Sequence, residues 1–260
     1  VAHFDALKGL VEETYTLNND SAVNLVAHSL GGPFTNRFLH QQTDAWRSKY
    51  IAGFVGLSAP FAGTPMGIAG IIAGPVFPYV PQSIPALIAP VIRTFPCIGW
   101  MLPTDDAAGS VWGGPDTLFI ETANKNYTYA RQRDVLVALN ASVLLHVWPS
   151  LPALWSTGLL PPDNHTRVLC VYATDTVTPL TVKKGNIGDI DGTVTASTAG
   201  DGTVNVNSLR VCKRWPTATV KERKLGGSVG AHNDILNDKK TLKTLLHWVL
   251  DGASTEAKYS

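Results

Sequence analysis

Three kinds of residue on this chain, taken together, can make an activated serine. Ser29 lies in the stretch Val23-Asn24-Leu25-Val26-Ala27-His28-Ser29-Leu30-Gly31-Gly32-Pro33, with Ala27 two positions before it and Gly31 two after. A serine hydroxyl is a weak nucleophile. It needs an imidazole to take its proton and a carboxylate to hold that imidazole in one tautomer. Where a serine is presented between a strand and a helix, the chain order is serine, acid, histidine. His232 fits that order, in the glycine-rich loop Gly226-Gly227-Ser228-Val229-Gly230-Ala231-His232-Asn233. The acid has two candidates. Asp175 directly follows an apolar run, and Asp201 sits between glycines in Gly200-Asp201-Gly202-Thr203-Val204. The pattern of residues alone leaves both open. His3 and His28 precede or adjoin the serine, and His28 is read as pointing to the other side of the turn. His40, His146 and His165 come before the acid, and His247 beside Trp248 reads as packed.

These groups need elements to carry them. Val23 to Ala27 is apolar apart from Asn24 and rich in β-branched residues, so it reads as a buried strand. Pro33 reads as the opening of a helix, where a missing N–H costs nothing. The turn between them would lift the Ser29 hydroxyl clear and aim the Leu30 backbone N–H at a developing oxyanion. Small residues at Ala27 and Gly31 let strand and helix come close. Phe4, Leu7, Leu10, Val11 and Tyr15 predict a helix over 3–17. Ile51 to Leu57 predicts a second buried strand, giving a strand–helix–strand unit of a parallel sheet. Arg167 to Thr174 and Thr219 to Leu225 predict further strands, joined by a polar Gly/Thr/Asp-rich stretch. Ile235, Leu236, Leu242, Leu245, Leu246 and Val249 line a last helix.

The stretch 66–92 carries no charge, is proline-rich and has no clear period. We read it as a mobile apolar lid that can also lie on a lipid surface. The expected organisation is a sheet domain over 1–61 and 166–260, with a cap and lid inserted over 62–165.

Composition narrows the classes. Of 260 residues, 45% are hydrophobic and only 16% charged, with 23 Gly and 17 Pro, as expected for a loop-rich globular protein. A formal net charge of +1 gives no electrostatic case for nucleic acid. No apolar run is long enough to span a bilayer without Gly or Pro breaking it. No His, Cys or Glu cluster has metal-ligand spacing, so neither metal nor cofactor is expected, and no carboxylate pair points to glycosidase chemistry. Asn-x-Ser/Thr sequons begin at Asn19, Asn126, Asn140 and Asn164, which favours the secretory route. The cysteines are Cys97, Cys170 and Cys212, an odd number. No signal peptide stands at residue 1, and the chain begins inside a helix pattern, so an N-terminal part is expected to be missing.

Five features together resemble the lecithin:cholesterol acyltransferase and lysosomal phospholipase A2 family. They are Ala27-His28-Ser29-Leu30-Gly31, Ala59-Pro60-Phe61-Ala62-Gly63, Asn126-Tyr127-Thr128, Gly200-Asp201-Gly202-Thr203-Val204-Asn205, and His232 before the last helix. The resemblance implies an α/β-hydrolase fold with a mainly parallel sheet and an inserted cap and lid, here N-terminally truncated. It implies Asp201 as the acid, with Asp175 not catalytic, and a Cys170–Cys212 disulfide that closes a loop worth about 4 kcal/mol in the chain-entropy model. It implies calcium-independent transfer of an acyl group from a glycerophospholipid to Ser29, and then to water or a lipid alcohol such as a sterol, ceramide or diacylglycerol. The implied partners are a phospholipid membrane or lipoprotein surface, and the implied location is a lysosome, a vacuole or the extracellular space. Two alternatives stand beside this: a neutral-lipid (triacylglycerol) lipase or esterase, and a catalytically silent lipid-binding relative. One departure matters. In the family, the loop giving the second oxyanion donor and a membrane-docking segment precede the serine, and only 28 residues precede it here. The 260 residues alone are therefore expected to be weak or inactive.

Overall fold

The computed structural model describes residues 2–74, 83–228 and 230–256. Eight strands among them form two sheets: β1 (Val23–His28), β2 (Ile51–Leu57), β3 (Leu118–Glu121), β4 (Asn126–Thr128), β5 (Val168–Ala173), β6 (Thr176–Lys183), β7 (Thr193–Gly200) and β8 (Ala218–Arg223). The first sheet is all parallel, in the order β1-β2-β5-β8. The two central strands are covered on both faces and so read as nearly continuous apolar runs, whereas the edge strands β1 and β8 are only partly covered: the expected burial of Val23–Ala27 holds at Ala27 alone, and Val26 is exposed. Every residue of β5 is buried, and β2 is buried except at Ala52. Alternation then divides the two faces. Val55, Leu57, Leu169 and Val171 pack with Ile235, Leu245 and Trp248 beneath the C-terminal helix Lys239–Glu256. Phe54, Val168, Cys170 and Tyr172 face the larger core, which takes in most of the chain between 59 and 215.

Helix α1 (Ala2–Leu17) precedes β1. Helix α2 (Gly31–His40) follows it directly, and α3 (Asp44–Tyr50) leads into β2, capped by the Thr43 hydroxyl taking the Trp46 N–H. The strand–helix–strand unit is therefore built from residues 23–57.

The second sheet has the order β4-β3-β6-β7. Its β6–β7 hairpin occupies the polar Gly/Thr/Asp-rich stretch, for which the sequence reading named no strand. The inward residues here are threonines, Thr176, Thr178 and Thr181, so hydrophobicity does not alternate. The usable signal is β-branching, which suits a pleated surface. At the hairpin's tip, Lys184 Nζ donates to the carbonyls of Asp189, Ile190 and Asp191, and the loop closes around it.

The expectation for 66–92 needs correction in its first part. Pro65–Ala73 is a helix, α4, capped by the Thr64 hydroxyl, with Pro65 at its first position. Ile68, Ile71 and Ile72 are fully buried at helical spacing, so this piece is core rather than lid. Residues 75–82 lie outside the described residues. Helix α5 (Ser83–Ile92) follows, and Arg93 ties it back by donating to the Ile71 and Ile72 carbonyls at the end of α4. Leu87 and Val91 of this helix and Phe95 just after it are exposed. Among the described residues, no helix is long and apolar enough to cross a membrane.

Candidate active site

The β1–α2 turn holds Ser29 at φ +55°, in the left-handed region that a residue with a side chain seldom adopts. Two backbone bonds fix it there: the Ser29 N–H donates to the Leu57 carbonyl at 3.0 Å, and the Gly32 N–H to the Ser29 carbonyl at 2.9 Å. The close approach that demands a small residue falls one position later than the spacing suggests. A Cβ on Gly31 would meet the Ala27 Cβ at 3.6 Å, an ordinary contact. A Cβ on Gly32 would meet the Ala59 Cβ at 2.3 Å, which is not possible without movement.

His232 lies in a one-turn helix, Ala231–Asp234, and is buried. Its Nδ1–H donates to Asp201 Oδ2 at 2.8 Å, and its Nε2 accepts from the Ser29 hydroxyl at 2.9 Å. Asp201 is completely buried. Its second oxygen, Oδ1, accepts the Thr203 N–H at 3.0 Å and the Val204 N–H at 2.7 Å, so both oxygens are engaged and the carboxylate has one orientation. The flanking glycines are required by geometry. Gly202 has φ +89°, and a Cβ on Gly200 would lie 2.3 Å from the Val204 carbonyl oxygen.

More distant groups hold the acid loop in place. Thr178 of β6 accepts the Gly202 N–H through its hydroxyl, which in turn donates to the Thr176 carbonyl. The buried Asn205 amide donates to the Thr178 and Pro179 carbonyls and to the Thr198 hydroxyl, clamping the loop onto both strands of the β6–β7 hairpin. A disulfide joins Cys170 of β5 to Cys212 in the short helix after the loop, with 6.7 Å between the Cα atoms. Cys97 is free and exposed.

The other candidate acid is placed elsewhere. Asp175 accepts the N–H groups of Leu225, Gly226 and Gly227 and so staples the turn that leads toward His232. His28 makes a contact that the sequence does not foretell: its ring lies 4.9 Å from the His232 ring, and its Nε2–H donates to the His232 carbonyl at 2.8 Å. Burial pushes its pKa below the ordinary histidine value, which disfavours the charged ring. Sequence reasoning missed this contact, and it also missed the Thr178–Asn205 clamp, for which the threonine-rich runs were the available signal. Asn19, Asn126, Asn140 and Asn164 are all exposed. Among the described residues, no group of three or more His, Cys, Asp or Glu is arranged to hold a metal ion.

A base bonded to a serine hydroxyl and oriented by a buried carboxylate can drive nucleophilic acyl transfer. Comparison with known proteins bears on which kind. The family described as "Lecithin:cholesterol acyltransferase" matches residues 2–145. Human "Lysosomal phospholipase A and acyltransferase" is 29% identical over 244 residues, covering 94% of this chain and 57% of that protein. "Lecithin-cholesterol acyltransferase-like 1" of Arabidopsis thaliana is 32% identical over 242 residues, covering 92% and 53%. "Phosphatidylcholine-sterol acyltransferase" of Gallus gallus is 32% identical over 221 residues, covering 82% and 49%. The chain thus spans about half the length of the curated relatives it matches. Among solved structures, a chain of the Tle4–Tli4 complex superposes with a TM-score of 0.60 at 12% identity, covering 94% of this chain and 63% of that one. That likeness speaks for the fold alone, an α/β-hydrolase with a mainly parallel sheet. The family match extends over more than half of the sequence, and the chain belongs to the lecithin:cholesterol acyltransferase family.

Proposed function

We propose that the protein is a serine-dependent lipid acyl hydrolase or O-acyltransferase acting on a glycerophospholipid. One observation carries the reading: three segments far apart in sequence meet as a chain of two short bonds, Ser29 to His232 at 2.9 Å and His232 to Asp201 at 2.8 Å. In this mechanism His232 takes the Ser29 proton as Oγ attacks the ester carbonyl. Asp201 stabilises the imidazolium that forms. The Leu30 N–H, at the start of α2, receives the oxyanion. Collapse breaks the ester C–O bond, and His232 returns the proton to the leaving lysolipid. Water or a lipid alcohol then attacks the acyl-enzyme, with His232 again the base.

The same reading gives the other parts their roles. Residues 1–61 and 166–260 are the catalytic core and 62–165 the cap, with β3 and β4 of the cap seated against the β6–β7 hairpin. The exposed apolar side chains of Leu87, Val91 and Phe95 suit contact with a lipid surface. Four exposed sequons and the disulfide suit passage through the secretory route.

The test is product analysis on phosphatidylcholine vesicles, with and without added sterol, ceramide or diacylglycerol, beside Ser29→Ala. Free fatty acid abolished by the substitution defines a phospholipase. A new acylated lipid defines a transferase and names its acceptor. Absence of both products with phospholipid, and turnover of triacylglycerol instead, would replace the reading by a neutral-lipid esterase.

A further inference from the structure

The structure assigns His28 a role in this reaction: we propose that it is the positioning residue that holds the backbone of the base His232, by donating a hydrogen bond to its main-chain carbonyl. The inference rests on the reading of Ser29 and His232 given above.

The argument begins with the carbonyl. His232 sits in a helix of a single turn, Ala231–Asp234, which follows a loop with Gly226 and Gly227 at φ +73° and +70°. Glycines in that region leave the preceding backbone few side-chain anchors. The turn's own hydrogen bonds pass the His232 carbonyl by, since the Ile235 N–H goes to Ala231, Leu236 to Asn233 and Asn237 to Asp234. The last carbonyls of any helix are left without partners from within it. This one is taken by the His28 Nε2–H at 2.8 Å, from a residue 204 positions earlier.

The ring does this in one form. A carbonyl only accepts, so Nε2 carries the hydrogen, and the neutral ring then has a bare Nδ1. The charged or titratable groups that face it are His232 and Asp201. Burial disfavours the charged ring, which weighs against a second positive charge beside His232 when it becomes imidazolium. The rings lie 4.9 Å apart at 47°, so His28 also forms part of the wall against which His232 packs. His28, Ser29 and Leu30 are consecutive. The same turn that strains the nucleophile therefore fixes the backbone of its base, and the 2.9 Å bond between Ser29 and His232 is set from both ends. An error of about 1 Å in such a pair costs about 100-fold in rate.

Two substitutions separate positioning from packing. His28→Phe keeps the ring and removes the donor, while His28→Gln places an amide N–H at nearly the reach of Nε2. Turnover of a short-chain p-nitrophenyl ester is measured for both beside wild type and Ser29→Ala, at a temperature where melting curves show each variant folded. The expected result is a kcat about 10- to 100-fold lower for His28→Phe with KM within about twofold, and recovery to within about fivefold of wild type for His28→Gln. A kcat within about twofold of wild type for His28→Phe overturns the proposal, as does a Gln variant no better than Phe. Imidazole 15N shifts of the wild-type protein read the bond without catalysis. A protonated Nε2 on His28 supports it, and a bare Nε2 overturns it. If wild type neither turns the ester over nor takes a fluorophosphonate at Ser29, the serine reading falls and takes the positioning role with it. That outcome is distinct from active wild type with an indifferent His28→Phe.

Discussion

The turn that carries Ser29, the proposed nucleophile, and the loop that carries Asp201, the proposed acid, deliver their groups to the same histidine in contrasting ways. The turn works locally. A strained Ser29, the Ser29 N–H bond to Leu57 and the Gly32 approach to Ala59 all lie within one strand–helix–strand unit, residues 23–57, and the two residues that follow it. The acid loop works at a distance. Asp201 is aimed by its own turn, but that turn is held by Thr178 of β6, by Asn205 bonding to both hairpin strands, and by the Cys170–Cys212 bridge to the central sheet. Local strain places a group economically and tolerates little change in side-chain size. Distributed ties place a group through many contacts, each of which can be weakened separately. Damage to the turn should therefore be abrupt, and damage to the acid loop graded.

The largest expected effect tests where the two meet. Asp201→Asn keeps the shape but presents an amide to Nδ1, which favours the wrong tautomer. It should lower kcat for ester hydrolysis by about 10,000-fold with little change in melting temperature. Next comes the bridge. Cys212→Ser should lower stability by about 4 kcal/mol in chemical denaturation, if chain entropy governs the 42-residue separation. A loss below about 1 kcal/mol would mean that the hairpin clamp alone holds the loop. Within the turn, Gly32→Ala should cost about 1–3 kcal/mol, because the new Cβ has backbone and Ala59 against it. Gly31→Ala should cost less than about 0.5 kcal/mol, since only an ordinary contact with Ala27 awaits it. Equal losses would remove the distinction between these two positions. In the clamp, Thr178→Val strands the Gly202 N–H and should cost about 1–3 kcal/mol, with partial loss of kcat.

The smallest effect separates the regions by pH. His28 at the turn and His40 at the end of α2 both have pKa values pushed below 6.5 by burial. Just below pH 6.5 the unfolded chain therefore binds protons that the folded chain refuses, and stability falls as pH drops through that value. Beside the helix that follows the acid loop, Arg210 donates to Glu222 and draws its pKa down to about 2, with help from Lys213. That contribution is complete above about pH 4.5 and is lost only as pH falls from 4.5 toward 2. Hydrogen exchange followed between pH 7.5 and 3 should loosen α2 before it loosens the segment 210–222. The reverse order would contradict the assignment of these shifts.

The same contrast governs what can be read in the sequence. The turn is legible because the signals for it are contiguous: an apolar strand, small residues and Pro33. Even so, the spacing points to Gly31, and it takes the fold to bring Ala59 against Gly32. Gly-Asp-Gly is legible as a turn, yet Asp175 is an equal rival in the sequence. Only family resemblance separates them there, and only the structure places Asp175 on the turn at 225–227. The hairpin hides because threonines line its inner face, and α4 hides because it is apolar all round and lacks a polar face to give it a period. The tie from His28 to His232 spans 204 residues and leaves no local mark.

The most direct test of the central claim is labelling with a fluorophosphonate, followed by peptide mass spectrometry. A single adduct on Ser29, absent from Ser29→Ala and strongly slowed in His232→Ala and Asp201→Asn, is the predicted result. Labelling of another residue, or undiminished labelling of Ser29 without His232, would contradict the account.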